Sequence, residues 1–418
     1  MPTANAFRSI DYIKITIFGF ALAALWASLH SIILPLRLLD FVAESEKSTY
    51  LGLLSGTGLI LAIIVQPIAG AISDRSRFSW GRRRPYILLG TILVMLFLPG
   101  IALFGSYAAL FIIYCLLQVS GNIAQGPYQG FIPDLAPEKK RGLASGVKGL
   151  LEIAGGVALV RLIGYAMGQY FTGEEGSWLW LALGMLAIVL LVAMIATVLT
   201  VKERPGTGTS QRPLWPTLYQ SFRIDWKANP GFIPFLVSRL LILMAFAMLQ
   251  RFALYFLMDV VGVADPATGT ADLIIVVGIC MLVTVYPAGR LSDRVGRRTI
   301  VISSGLLGAL GIVILYFSHS YSLILFAGAI LGISSGAFTS TNWALATDLI
   351  PKGEEARYLG LTNLATAGSA ALTLFIIGPA IDFFNNLSPG LGYQVMLGAC
   401  FIYFIAGSLL VLKIKPQA

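Results

Sequence analysis

Apolar positions along this chain gather into twelve long runs separated by short polar stretches. Six lie near residues 13 to 35, 50 to 72, 85 to 105, 107 to 132, 143 to 169 and 177 to 201. Six more follow near 231 to 258, 271 to 289, 299 to 318, 322 to 349, 357 to 381 and 392 to 412. A predominantly apolar run of about 18 residues or more is long enough for a helix to cross a bilayer. The pattern therefore predicts an all-α polytopic membrane protein with 12 transmembrane helices. The first run is too long for the apolar part of a cleavable leader, and no small-residue cleavage site follows it, so it reads as a retained span.

Composition agrees. Of 418 residues, 57% are hydrophobic and only 12% charged, against about 25% charged in an ordinary soluble domain. Too few charges remain to cover a soluble surface. The net charge of +9 would suggest a nucleic-acid partner if it lined a folded soluble face, but its position says otherwise. With the N-terminus placed in the cytoplasm, 23 of the 29 basic residues fall in inner segments, Arg37 and Lys47 fall in outer loops, and Lys148, Arg161, Arg239 and Arg251 lie within spans. That asymmetry is the positive-inside signature of an even number of spans with both termini cytoplasmic, and the plasma (inner) membrane is the expected location. Cys115, Cys280 and Cys400 are too scattered for a disulfide framework or a metal site. No metal, cofactor or nucleic acid is expected, and the absence of HExxH and P-loop strings argues against an enzyme.

Three strings recur at a nearly constant offset. Gly70-Ala-Ile-Ser-Asp74-Arg75 returns as Gly289-Arg-Leu-Ser-Asp293-Arg294, Gly81-Arg82-Arg83 as Gly296-Arg297-Arg298, and Asp134-Leu-Ala-Pro137 as Asp348-Leu-Ile-Pro351. Both copies begin after an even number of spans, so the spans form two parallel six-helix repeats. Residues 1–201 are the expected first half and 231–418 the second. The proline- and glycine-rich stretch 202–230 reads as a cytoplasmic linker, in which Trp215, Leu218, Phe222 and Trp226 mark either a short interfacial helix or plain loop.

The Gly-x-x-x-Asp-Arg-x-Gly-Arg-Arg string after the second span, repeated after the eighth, resembles the signature of the major facilitator superfamily. The resemblance covers essentially the whole chain and implies the major facilitator fold, normally monomeric. Two further strings, Ser73-Asp74-Arg75 with Gly81-Arg-Arg-Arg-Pro85, and Asn122-Ile-Ala-Gln125-Gly-Pro127, are similar to the sucrose transporters and the related glycoside-pentoside-hexuronide sugar transporter branch. In plant sucrose transporters the fourth helix carries an Asp implicated in proton coupling and, eleven residues on, an Arg implicated in sugar binding. Gln118 and Gln129 stand at those positions here, so hydrogen-bonding capacity survives but the titratable group does not. The resemblance also implies a cytoplasmic gate. Gly70, Asp74, Arg75, Gly81, Arg82 and Arg83 would form one latch and Gly289, Asp293, Arg294, Gly296, Arg297 and Arg298 a second. By charge alone, Asp74 would face the positive N-terminus of the eleventh helix near Arg357, while the arginines also suit anionic lipid headgroups.

Charge inside a bilayer is costly, on the order of 2.5–3.5 kcal/mol at a helix centre, so each such residue needs a partner or a wet cavity. Glu152 lies closest to the midplane among the acids. It reads either as a proton-coupling group or as a static partner of Lys148, one turn earlier. Arg239 reads as a donor to a substrate hydroxyl or as a counter-charge to Glu152. Gln118, Asn122, Gln125, Gln129 and Asn342 offer neutral hydrogen-bonding groups suited to a polyhydroxylated ligand. Trp26 and Trp343, with Tyr128, offer ring faces on which a sugar stacks, and His30 reads as polar lining or as a packing residue. Glycines at four-residue spacing, namely Gly52 and Gly56, Gly142 and Gly146, and Gly328, Gly332 and Gly336, suit close helix contact.

These features point to an alternating-access secondary transporter of a small solute, a sugar first, moved with protons or passively. Efflux of an amphipathic or cationic compound is the alternative within transporters. A non-transporting sensor or assembly factor on the same fold is the alternative outside them.

Overall fold

The computed structural model describes residues 7–173, 176–203, 231–318, 320–349 and 355–414. Twelve helices long and apolar enough to cross a membrane occur among them: α1 Ser9–Leu39, α2 Glu44–Asp74, α3 Arg84–Leu103, α4 Tyr107–Leu135, α5 Glu138–Phe171, α6 Ser177–Thr200, α7 Phe232–Val261, α8 Pro266–Val295, α9 Arg297–Phe317, α10 Tyr321–Leu349, α11 Glu355–Leu387 and α12 Leu391–Leu412. No strand occurs among the described residues. In hydrocarbon every backbone N–H and C=O needs a partner within its own segment, which is why the apolar runs settle as continuous helices. Side-chain hydroxyls follow the same rule: Thr16, Ser120, Thr284 and Thr373 each donate to the carbonyl four residues back.

Local chemistry sets several helix ends. The Ser106 side chain accepts from the Ala109 N–H at 3.3 Å at the start of α4. Asp265 does the same for Thr268 at 3.0 Å at the start of α8, with Pro266 in the first turn. Gly262 ends α7 with φ of 69°. The first helix of each repeat also carries a π-helical turn, Leu29–Ile33 in α1 and Leu257–Val261 in α7. The repeated Gly-x-x-x-Asp strings, expected in loops, are instead the last turns of α2 and α8. The spans run past their apolar stretches, and at those ends polar side chains reach water without breaking the helix.

The described residues fall in two compact units. One takes in those within Met1–Ile33 and Ile60–Arg212, the other those within Leu34–Leu59 and Pro213–Ala418. The second unit thus includes the end of α1 and the start of α2 as well as its own six helices, a segment that the half-by-half division of the sequence assigns to the first repeat. Close backbone contact explains the grouping: a Cβ on Gly52 would lie 2.3 Å from the Leu374 carbonyl oxygen, and one on Gly378 2.4 Å from that of Ser48. Of the expected linker only Lys202 and Glu203 are described; residues 204–230, with the candidate interfacial helix, lie outside the described residues.

Within each unit, glycines let helix backbones touch. In the first, a Cβ on Gly155 of α5 would come 2.1 Å from the Phe20 carbonyl of α1, and one on Gly90 of α3 2.7 Å from that of Ser120 in α4. In the second, Gly332 and Gly336 of α10 press on the Val277 and Met281 carbonyls of α8, at 2.5 and 2.6 Å from the same hypothetical atom. Gly142 and Gly146 depart from the expectation, because a Cβ on either would meet nothing within 4 Å.

Candidate functional site

In the first unit a polar network forms where α1 meets α4. Tyr114, Gln118 and Asn122 follow one another at four-residue spacing and so share a face of α4. Gln118 Nε2 donates to the Tyr114 hydroxyl at 2.7 Å and lies 3.1 Å from Nε2 of His30 on α1, while Tyr114 Oη is 3.0 Å from the same ring nitrogen. Asn122 donates to the Gln118 backbone carbonyl at 2.8 Å and to its side-chain oxygen at 3.3 Å. Trp26 stacks on His30 with ring centroids 5.2 Å apart and planes 19° from parallel. Its far edge rests on Gly121, where a Cβ would come 2.5 Å from Trp26 Cζ2. The structure therefore brings Trp26, His30, Gln118 and Asn122 together and adds Tyr114. It leaves out Gln125, which is half-buried, and Gln129, which is exposed at the end of the same helix.

The second unit has its own cluster. Arg239 of α7 is 4% exposed. Its Nη1 donates to Oδ1 of Asn342 in a short hydrogen bond, its Nε donates to the Thr366 hydroxyl at 3.0 Å, and its guanidinium carbon lies 4.7 Å from the centroid of Trp343. Neutral groups and an aromatic face thus hold this cation. The Asn342 Nδ2 atom is buried and makes no hydrogen bond among the described residues, so the cluster keeps a donor to spare.

Glu152 of α5 pairs with Lys148 at 3.6 Å, one turn away, and its Oε1 atom lies near Gly19 of α1. Lys148 Nζ also sits 5.4 Å from the ring centroid of Tyr128, whose hydroxyl donates to the Thr16 carbonyl at 3.0 Å.

At the ends of α2, α3, α4 and α6 the first latch forms a closed network inside the first unit. Arg83 Nη2 reaches Asp74 at 2.9 Å, Arg83 Nε donates to Asp134 in a short contact, and Arg82 Nη2 reaches the other Asp134 oxygen at 2.6 Å. The Arg83 head fits only because Gly130 has no side chain: a Cβ there would fall 1.9 Å from the guanidinium carbon. Asp74 is thus partnered by Arg83 of its own unit; the Arg357 side chain suggested as its neighbour lies outside the described residues. Arg75 is exposed, and Gly70 approaches the Gly126 carbonyl.

Glu203, just past α6, completes the network and was not anticipated. Its carboxylate accepts from the backbone N–H of Arg83 at 3.1 Å and of Arg84 at 3.0 Å, capping the start of α3 from 120 residues away. Burial pushes the Glu203 carboxyl above the usual range, outweighing the N–H groups of Arg84 and Arg83 that favour its charged form. For Arg82, burial works to lower the value, but the Asp134 carboxylate, with Asp74 and Glu203, raises it further. Glu203 also fixes the first Gly-Arg-Arg string, because Gly81 has φ of +135° and a Cβ on it would lie 2.4 Å from Glu203 Oε2. The sequence offers one weak signal for this role, a single acid between Lys202 and Arg204.

Among the described residues, the second repeat keeps one bond of this network. Arg297, the counterpart of Arg82, reaches Asp348 at 2.6 Å, as Arg82 reaches Asp134. Asp293 lies 3.7 Å from the same Arg297, one turn away, and is two-thirds exposed. Arg294 is exposed and Arg298 half-buried; Gly296 has φ of +101°, and Gly289 meets only Ser340, at the edge of contact.

A family model described as MFS/sugar transport protein matches residues 19–413. A lactose permease of Lactobacillus helveticus is 23% identical over 341 residues, covering 74% of this chain and 51% of that protein. A sucrose transport protein of Oryza sativa subsp. japonica is 28% identical over 193 residues, covering 37% of this chain and 35% of that one. The match thus spans about half the length of the first relative and about a third of the second. Among solved structures, a D-xylose–proton symporter superposes with a TM-score of 0.73 at 18% identity, over 98% of this chain and 99% of that one. A nucleoside transporter superposes with a TM-score of 0.71 at 12% identity, over 96% and 98%. At such identities these structures share the fold.

Proposed function

Because the chain belongs to the MFS/sugar transport protein family, we propose that it carries a sugar across a membrane as a secondary transporter working by alternating access. The observation that carries this reading is the network of Trp26, His30, Tyr114, Gln118 and Asn122. It is neutral, donor- and acceptor-rich, and lies against a ring face, the chemistry that suits hydroxyl groups on one side of a sugar and C–H groups on the other. Arg239, held by Asn342, Thr366 and Trp343, is assigned the same task in the second unit, and the unused Asn342 donor supports that assignment. The relatives that carry lactose and sucrose favour a disaccharide.

Glu152 is the proposed proton carrier. Its partner Lys148 lies only one turn away, on the same helix, so the pair opens by side-chain rotation alone. The protein acts as a monomer in the lipid bilayer of the plasma (inner) membrane, with both termini cytoplasmic; the distribution of basic residues supports that orientation. The test is uptake of labelled sucrose, maltose and glucose into liposomes holding the purified chain, with and without an inward proton gradient. Saturable uptake of at least one sugar is expected, accelerated by the gradient in the parent and indifferent to it in Glu152→Gln. If none of the three sugars enters, the sugar reading is wrong; gradient-driven accumulation by the Gln variant removes Glu152 from coupling.

A further inference from the structure

Among the described residues, Arg239 is a full charge held inside the second unit by neutral groups alone. A guanidinium stays protonated in a protein, and this one stands about 10 Å into α7, which begins at Phe232. Asn342, Thr366 and Trp343 solvate it, yet hydrogen bonds and a ring face spread a positive charge without cancelling it. The carboxylates within the same unit's spans are engaged elsewhere. Asp259 pairs with Lys47 at 2.7 Å, Asp272 accepts from the Tyr321 hydroxyl at 3.1 Å, and Asp382 accepts from the N–H groups of Ser48 and Thr49 at 3.2 and 2.6 Å. Charge at such depth is costly, and it is retained where it meets a counter-charge or lines a solute path.

The groups left over beside that charge are donors. Nε and Nη1 of Arg239 are taken, and Nη2 makes no hydrogen bond among the described residues. Asn342, 1% exposed, gives Oδ1 to Nη1, which turns its Nδ2 away from that bond, and Nδ2 has no partner among them either. The opposite amide orientation would set an NH2 group against the guanidinium, so charge fixes the assignment. A sugar hydroxyl would occupy these donors and leave the charge standing, whereas a carboxylate accepts from both and cancels it. One guanidinium balances one negative charge, so a phosphate monoester, which carries close to two, would bring an excess into the interior. Trp343 is 36% exposed, so the cluster is not sealed.

We propose that Arg239 Nη2 and Asn342 Nδ2 form a carboxylate-binding subsite, and that the solute is a sugar acid with a single carboxylate, an acidic disaccharide such as an aldobionic acid, bound in preference to its neutral counterpart. The sugar part rests on the transporter reading; the subsite stands on the unanswered charge and the spare donors.

Maltobionate and maltitol differ only in a carboxylate where the other has a CH2OH group, and glucuronate differs from glucose in the same way. Calorimetry on the purified full chain at neutral pH compares their binding, and the liposome assay compares their uptake. Each acid is expected to bind at least about tenfold tighter than its neutral partner, and glucose 6-phosphate more weakly than glucuronate. Asn342→Asp keeps the acceptor for Nη1 and turns the spare donor into the missing negative charge. It should therefore fold, with a ligand-free Tm at or above the parent's, and bring the preference for maltobionate over maltitol down to about one or below. Arg239→Gln should abolish the preference too. A parent that binds the acids no tighter than the neutral sugars overturns the subsite, as does a preference that survives in Asn342→Asp; glucose 6-phosphate binding as tightly as glucuronate overturns the restriction to a single carboxylate. If no sugar of either kind enters liposomes while the purified chain keeps acid binding that Asn342→Asp removes, the transporter reading falls and the subsite stands. Uptake of neutral sugars without any preference for the acids has the opposite meaning.

Discussion

Glu203 is a carboxylate in an unusual bargain, since it holds two backbone N–H groups at the start of α3 yet is buried deeply enough that its carboxyl sits above the usual range. A folded-state value raised in this way means that the folded chain binds a proton where the unfolded chain does not. The stability this linkage contributes is complete below the ordinary carboxylate value of about 4.3 and is lost as pH rises through the higher folded value. Thermal unfolding in detergent should therefore show the parent losing stability relative to Glu203→Gln as pH rises through that window; parallel profiles would rule the linkage out. Glu203→Ala, which leaves two donors without a partner, should cost about 1–3 kcal/mol at neutral pH. Residues of this kind separate what sequence reveals from what it hides. Gln118 and Asn122 were legible as neutral polar groups within one span, whereas Tyr114, on the same helical stripe, was not singled out. Glu203 and Thr366 were not legible, since their partners lie 120 and 127 residues away and only packing selects them.

Helices were the most legible part of the chain. Apolar length alone located all twelve spans, because a bilayer imposes that length directly. Their ends were less legible, and so was the use made of each small-residue repeat. Gly328-x-x-x-Gly332-x-x-x-Gly336 and Gly142-x-x-x-Gly146 look alike in sequence, yet Gly332 and Gly336 lie against the α8 backbone and Gly328 against its side chains, while Gly142 and Gly146 face open space. A side chain on Gly332 must move backbone, which cannot yield cheaply. Gly332→Ala is expected to destabilise by about 1–3 kcal/mol, whereas Gly146→Ala should be neutral or stabilising by up to about 1 kcal/mol through its better helix propensity. Comparing the two apparent Tm values checks this, and a Gly146→Ala loss as large as that of Gly332→Ala would contradict it.

The two repeats have kept the same plan with unequal investment. Among the described residues, Asp134 serves two arginines and has a one-fifth exposed side chain, while Asp348 serves one and is half exposed. Asp134→Asn should therefore cost about 1–3 kcal/mol, because it takes the shared carboxylate from Arg82 and leaves the buried Arg83 head with Asp74 as its acid partner, and Asp348→Asn less than about 1 kcal/mol. Urea or thermal unfolding of the two variants side by side measures the difference, and equal losses would show that the second network matters as much as the first. The duplication was legible from the recurring strings; the imbalance was not, since Gly81-Arg82-Arg83 and Gly296-Arg297-Arg298 read the same until their partners are known.

The partners of Arg82, Arg83 and Arg84 also arrive in an order. Asp74 precedes them along the chain, Asp134 follows Arg83 by 51 residues, and Glu203 by 120. In the orientation proposed above, the arginines are largely uncompensated while the early helices are made, and an unmasked positive cluster is what retains a loop on the cytoplasmic side. They become fully engaged only when the end of α6 emerges, by which time six helices have been made. On that orientation the same three side chains serve first as an address and then as a fastener, and the spacing of the acids sets the delay between the two.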